Sequence, residues 1–473
     1  MNDTATFPQA TAADWRALVE KTLKGQPLES LNRTTFEGLP IAPLYTGDEV
    51  AAANFPLRAV DADRPWDIRA SVSHPDPARA NADLLAELEG GSASGLIAID
   101  PTGTHGVAVG AAADLTTVLN SVVLELAPIA IDAGFLGPQA AEWLAAAAKG
   151  SPTAKLAFHL DPLSAFAQSG QSPGPIADHI KAAAETAARL AEIHPQAGLF
   201  LASGRVVHEA GGGEAAELAF AMAAALSYAK AMVQAGLPMD RAFAGIGLSL
   251  SADADYFLTL AKFRAARVLW AAITGACGIS APAKIEARSS ARMLTAEDAW
   301  TNMLRLSAAG VGAALGGADA VVLGTFTDAL GLPTAFARRQ SRNAQLVLME
   351  EAHLGRVADP AAGSGYVEAL TDELARAAWT KFQSIEAQGG LIAALKSDHI
   401  ADEVAEVCAA RDAAGQPKIV GVTAFPPLKA EAVDVEHPAP KTANAPSPRL
   451  PGPDDHCPAL TPIRLAQAYE AAK

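Results

Sequence analysis

Gly198-Leu199-Phe200-Leu201-Ala202 is a short apolar run. Glu214 to Ala235 follows it with Leu218, Met222 and Leu226 four apart on one face, and Ala244 to Leu250 is apolar again. A short apolar run suits a strand buried on both faces, and the four-residue spacing suits an amphipathic helix that Gly236 can end in a left-handed conformation. Strand, helix, strand in that order implies parallel strands joined by a helical crossover. The rhythm continues outward. Upstream lie Gly95 to Asp100, Ala127 to Ala133 and Lys155 to Leu160; downstream lie Lys284 to Arg288, Ala318 to Leu323 and Arg356 to Ala358, which makes eight candidate strands. Further helices are expected from Asp255 to Ala276, before Gly278, and from Thr295, where Asp298 three residues on suggests a capping box.

Eight strand-helix units predict an α/β fold of the (β/α)8 TIM-barrel type, which usually takes about 250 residues. The rival is a doubly wound open sheet, but no Gly-x-Gly-x-x-Gly follows the first strand. The ends differ from the middle. Residues 1–90 carry one short helix around Asp14 to Leu23 and a Pro- and Gly-punctuated stretch, Gly38 to Gly47, and read as an N-terminal arm laid on a surface. Residues 91–390 are assigned to the barrel, 391–425 to a helical extension and 426–473 to a Pro-rich linker or wrapping tail.

The 473 residues are 50% hydrophobic and 19% charged, a balance that buries a sizeable core and excludes general disorder. Lys and Arg total 36 against 52 acidic residues, a net charge of −16, so no basic surface is available for a phosphate backbone and no nucleic-acid partner is expected. Cys277, Cys408 and Cys457 form no CxxC pair, which excludes a disulfide framework or zinc motif and fits a reducing cytoplasm. No basic-then-apolar leader opens the chain, and charges such as Glu125 and Asp132 interrupt the apolar stretches before the roughly 18 residues that a membrane span needs. A soluble, cytoplasmic protein without membrane contact is expected.

Several motifs have competing readings. Gly170-Gln171-Ser172-Pro173-Gly174 matches the hydrolase elbow Gly-x-Ser-x-Gly, but that serine must sit at a sharp strand-to-helix turn, and here the stretch reads as a plain loop. Gly211-Gly212-Gly213 precedes a helix and could cradle a phosphate; without a following Lys-Ser/Thr it reads as a turn. His208 with Glu209, and His159 with Asp161, are candidate acid/base pairs, the second better placed because barrel chemistry lies at C-terminal strand ends. Asp454-Asp455-His456-Cys457-Pro458-Ala459 approaches the Asp-x-His-x-x-Gly signature of cobalamin-binding domains, but ends in Ala459 and leaves only fifteen residues after Pro458, so no cobalamin-binding domain is expected. Metal binding at His456 and Cys457 lacks a second ligand pair.

Six stretches, taken in order, resemble the methylmalonyl-CoA mutase family. They are Leu39-Pro40-Ile41-Ala42-Pro43-Leu44-Tyr45-Thr46; Arg64-Pro65-Trp66-Asp67-Ile68-Arg69; Ser203-Gly204 with Glu209-Ala210-Gly211; and Ala261-Lys262-Phe263-Arg264-Ala265-Ala266-Arg267-Val268-Leu269-Trp270. Arg342-Asn343-Ala344-Gln345-Leu346-Val347-Leu348 and Asp359-Pro360-Ala361-Ala362-Gly363-Ser364-Gly365-Tyr366-Val367-Glu368 complete the set. The resemblance covers about residues 14 to 425 and implies an acyl-CoA-threaded barrel and adenosylcobalamin-dependent interconversion of methylmalonyl-CoA and succinyl-CoA.

It also implies which side chains to seek. Where the family places a tyrosine wedge after Arg-Pro-Trp-x-Ile-Arg, this chain has Ser71. Where Ser-Gly-Tyr-His presents an imidazole to the thioester carbonyl, the run is Ser203-Gly204-Arg205-Val206. The arginine clamp for the substrate carboxylate falls on Ser169, and Glu286-Ala287-Arg288-Ser289-Ser290 replaces His-x-Gln-Thr-Ser. A lost preorganised donor typically costs about 100- to 1000-fold in rate. The expectation is therefore a small, noncatalytic subunit of a heterodimeric mutase, with no catalytic, cofactor-binding or metal residues of its own, paired with a large subunit that holds adenosylcobalamin. Trp15, Leu18, Leu23, Leu31, Phe36 and Tyr45 are the arm residues expected at that interface. A substrate-binding barrel of a split acyl-CoA mutase, its cobalamin domain on another chain, is the enzyme alternative, and recruitment to another acyl-CoA-binding or regulatory task is a third.

Overall fold

A computed structural model describes residues 10–46, 57–58, 61, 64–429 and 431–470. Among them, eight parallel strands close a barrel: β1 Asp67–Val72, β2 Ser94–Ala98, β3 Ile129–Asp132, β4 Leu156–Leu160, β5 Gly198–Ser203, β6 Ile246–Ala252, β7 Ile285–Ser289 and β8 Ala320–Val322. Each strand pairs in sequence order with the next, and β8 returns to β1 through Ala320 opposite Asp67. The (β/α)8 barrel expected from the apolar rhythm is the fold observed.

Two expectations change. Arg356 to Ala358 is a run of bends, and the eighth strand is instead β1, inside the segment assigned to the arm, followed by the barrel helix Pro77–Glu89. Asp67 and Arg69 alternate with apolar neighbours because they point into the lumen, so the stretch lacks the continuous apolar character sought in a barrel strand. Thr295 does not cap a helix. Its hydroxyl donates to Asn302 Oδ1 at 3.2 Å, and the helix starts at Asn302 after a 3₁₀ turn at Ala299–Thr301.

Outward-facing strand residues such as Ile68, Ile97, Ile131, Leu248 and Ala287 pack beneath the helices in one continuous core. The Glu214–Gln234 helix, long and apolar enough in principle to span a membrane, is one of these, with Leu218, Phe220 and Met222 fully enclosed; such burial marks a core helix. It ends as expected, with Gly236 at φ 100°. The family-like motifs meet through side chains. Trp66 Nε1 donates to Gln345 Oε1 at 3.3 Å, and Arg264 on the Tyr256–Ala276 helix donates to Asp359 and Glu368, both at 2.9 Å.

The tail wraps the C-terminal rim of the barrel. Val435–Glu436 pairs with Leu332–Pro333 after β8, Ala443 N–H donates to Pro101 O after β2, and Asp455–His456 pairs with Gln171–Ser172 after β4. Gly103, Gly110 and Gly174 lie directly beneath its backbone, where a side chain would meet Lys441, Asn444 or Leu450. In the arm, the helix Ala12–Leu23 is capped by Thr11 and Asp14, and Pro40–Ile41 pairs with Arg33–Thr34. Gly47, the end of the expected extended stretch, lies outside the described residues.

Candidate functional site

TIM-barrel chemistry is built at the C-terminal strand ends over a lumen normally filled by branched apolar residues. Here the inward set is small or charged. Leu96, Ala130, Ala157 and Val322 form a thin apolar cluster, and a chain of ion pairs crosses the barrel beside it. Arg288 on β7 donates to Asp132 on β3 at 2.8 Å, across the diameter of the barrel, and to Glu286 at 2.6 Å. Glu286 also accepts from Arg69 on β1 at 2.6 Å, and Arg69 donates to Asp67 at 2.9 Å and to Ser94 Oγ at 2.9 Å. Arg288, Glu286 and Arg69 are 12%, 4% and 13% exposed, so the pairs to Glu286 are screened little by water, whereas Asp132 is 48% exposed and its pair with Arg288 meets solvent.

The electrostatics follow. Burial opposes ionisation of Glu286 and is the largest single influence, but its neighbours, Arg288 foremost and Arg69 among them, together outweigh it, and the carboxyl is held well below the usual carboxylate range. Burial pushes His159, on β4, down to about 4, so it is neutral at pH 7, and its Nδ1 has no hydrogen-bond partner. Asp161 is pushed up to about 7 by burial, against the bonds it accepts from Tyr228 Oη at 2.5 Å and Ser164 N–H at 3.2 Å. Thus His159 and Asp161 do not form a pair: one faces the lumen among Glu286, Arg69, Arg288 and Asp132, and the other caps the Pro162–Ser169 helix.

His208 and Glu209 also separate. His208 is fully enclosed, with Nε2 3.1 Å from both Asp253 and Ser290. Burial and Arg292 oppose its protonation, yet Glu214 and Glu217 prevail and push it up to about 10. His208, Glu214 and Glu217 have the spacing of a metal triad, but Lys262 Nζ donates to both carboxylates, at 2.5 Å for Glu217, so an ammonium takes the place of a metal ion. Glu209 instead accepts from Arg292 N–H at 3.2 Å and Ser251 Oγ at 3.3 Å.

The positions that the resemblance singles out fall as follows. Ser71 is exposed at the end of β1 and lines a cavity of about 470 Å³ with Ser73, Thr104, Thr325 and the tail's His437. Val206 lies in the short Arg205–Glu209 helix with an apolar side chain. Ser169 donates its hydroxyl to Ala165 O and Gln171 O at 2.7 and 2.6 Å, ending a helix. Ser172 in the elbow-like stretch is equally occupied, donating to Gly174 O at 2.6 Å, and it is enclosed under the tail. The Asp454–His456 stretch is a clasp for that tail: Asp454 accepts from Gln171, and Asp455 from Lys396 and Ile176 N–H.

Sequence reasoning saw Glu286 and Arg288 only as departures from a motif. The alternation Asp67-Ile68-Arg69 and Glu286-Ala287-Arg288 carried the missed signal, since period-two charges in barrel strands face the lumen.

The family model described as methylmalonyl-CoA mutase matches residues 35–446. The chain is 39% identical to the methylmalonyl-CoA mutase small subunit of Streptomyces virginiae over 94% of this chain and 75% of that protein. It is 34% identical to the small subunit from Propionibacterium freudenreichii subsp. shermanii, over 91% of this chain and 71% of the relative. Against the large subunit from Streptomyces virginiae the identity is 28%, over 90% and 64% of the two chains. Ordered motifs, a closed eight-stranded barrel and these matches agree, and the chain belongs to the methylmalonyl-CoA mutase family.

Proposed function

We propose that this chain is the small subunit of methylmalonyl-CoA mutase, a barrel that supports a catalytic partner and does not itself isomerise substrate. The observation that carries this is the Arg288–Asp132 pair spanning the lumen, backed by Glu286–Arg69, in the axis along which an acyl-CoA would thread. Displacing Arg288 would leave Glu286, 4% exposed, short of a partner, at a cost of about 3–5 kcal/mol for a broken buried pair, while Asp132, 48% exposed, would regain water. Ser71 offers no aromatic wall and Val206 no polar contact for a migrating radical. Among the described residues, nothing lining the lumen favours the split-mutase alternative, which needs an open acyl channel.

Adenosylcobalamin, in this reading, belongs to a large subunit, where it supplies homolysis and radical chemistry. The arm is the segment offered to that partner: Leu18 is 64% and Phe36 49% exposed, and the Ala12–Leu23 helix buries no side chain of its own. Apolar residues on an element with so little intramolecular burial suit a large contact between chains. The test is turnover. The purified chain with methylmalonyl-CoA, adenosylcobalamin and a separately produced cobalamin-binding module is expected to give no succinyl-CoA, and addition of the large subunit is expected to restore it. Isomerisation without the large subunit overturns the proposal.

A further inference from the structure

Gly211-Gly212-Gly213 does receive an anion, and the anion is the chain's own. Glu37 stands in a tight turn of the arm in which Gly38 N–H donates to Thr35 O at 3.0 Å and Gly38 adopts φ 83°. Its two carboxylate oxygens accept from Ala215 N–H at 2.9 Å and Ala216 N–H at 3.1 Å, donors in the first turn of the 21-residue Glu214–Gln234 helix. Those N–H groups have no intrahelical partner, and the positive end of the helix dipole favours a carboxylate there. Gly213 makes the approach possible, because a Cβ at that position would overlap the Glu37 carboxyl carbon.

Among the described residues the arm is held at further points, with buried Arg58 donating to Ala314 O and Ala318 O at 3.2 and 2.7 Å beyond the 28–46 segment. Leu39 is buried, the Phe36 ring lies 5.2 Å from the Arg411 guanidinium, and the rings of Tyr45 and Tyr366 are 5.8 Å apart. Burial pushes the Glu37 carboxyl above the ordinary glutamate range; Glu214 adds to the push, and Lys381 opposes it. Seating the charge therefore carries a desolvation cost that the two N–H bonds only partly offset, as suits a contact that can open.

We infer that Glu37 is a releasable latch: its carboxylate, seated on the Gly213–Ala216 backbone, holds the arm against its own barrel and sets the arm's course before a partner arrives. The latch is intramolecular; its consequence for assembly rests on the proposed pairing with a large subunit.

Hydrogen–deuterium exchange on the full chain tests it, comparing the parent with Glu37→Ala, Glu37→Gln and Gly213→Ala. Loss of a charge-assisted, two-point contact is expected to speed exchange in the 28–46 segment about tenfold in Glu37→Ala and Gly213→Ala, with barrel peptides unchanged. Glu37→Gln, which keeps one acceptor, is expected to fall between them and the parent. Arm exchange within twofold of the parent in both Glu37 variants overturns the latch, whatever becomes of the glycine variant. Association with the large subunit is then followed by biolayer interferometry. A slower on-rate in the loosened variants supports preorganisation of the arm; an unchanged on-rate with a loosened arm leaves the latch standing and removes its role in assembly.

Discussion

Arg288 does two things at once: it neutralises Glu286 beside it and reaches Asp132 on the far side of the barrel. Arg288→Ala should therefore leave Glu286 short of a buried partner, and chemical denaturation is expected to show a loss of about 3 kcal/mol, whereas Arg288→Met, which refills the volume, combined with Glu286→Gln should recover most of it. His208 gives a pH signature. Its folded-state value of about 10 lies above the ordinary 6.5, so the stability from its ion pairs is complete below pH 6.5 and is lost as pH rises toward 10. Thermal unfolding between pH 6.5 and 10 should fall more steeply in the parent than in His208→Gln. At this scale the sequence revealed less. The substitutions at Ser71 and Val206 were visible, but a lone motif departure does not say what replaces the missing group, because Arg288 and Asp132 meet only once the sheet has closed.

Elements were far more legible, for physical reasons that also explain the failures. Apolar runs disclosed β2 through β8 because their outward residues carry the core, and Gly236 and Gly278, at φ 100° and 70°, ended the helices where a left-handed residue was anticipated. Strand β1 escaped because its inward positions are Asp67, Arg69 and Ser71, so the usual apolar signal is halved. The tail is the converse case. Its composition suggested a linker, and it is ordered by backbone pairing and polar contacts, Lys441 to Asp76 at 3.0 Å and Arg449 to Asp454 at 2.7 Å, with no fully buried side chain from Glu431 to Ala459. An element that buries so little apolar surface contributes little to global stability. A protease site inserted between Pro446 and Leu450 and then cut should lower the melting temperature by less than about 5 °C, while raising exchange at Gln171 and Ser172. A larger fall would show that the strap holds the barrel together.

For the molecule as a whole, the family's barrel surrounds a lumen bridged by ion pairs. Motifs distant in sequence support that fold: Arg264 joins Asp359 and Glu368, and Trp66 joins Gln345. The arm, with Leu18 and Phe36 exposed, leaves stability to be gained from a partner. A large subunit at 100 times its dissociation constant should add about 2.7 kcal/mol to the apparent stability of the small chain, seen as a concentration-dependent rise in melting temperature on mixing. A melting temperature indifferent to the large subunit would remove the arm from the interface.

The proposed closure of the lumen is tested most directly by isothermal titration of methylmalonyl-CoA into the purified full-length chain, with the large subunit as positive control. The expected result is no saturable heat from the small chain at millimolar ligand, and saturable binding in Arg288→Ala/Asp132→Ala only if the emptied axis then admits the acyl group. One-to-one binding by the unaltered chain at micromolar affinity would contradict the account.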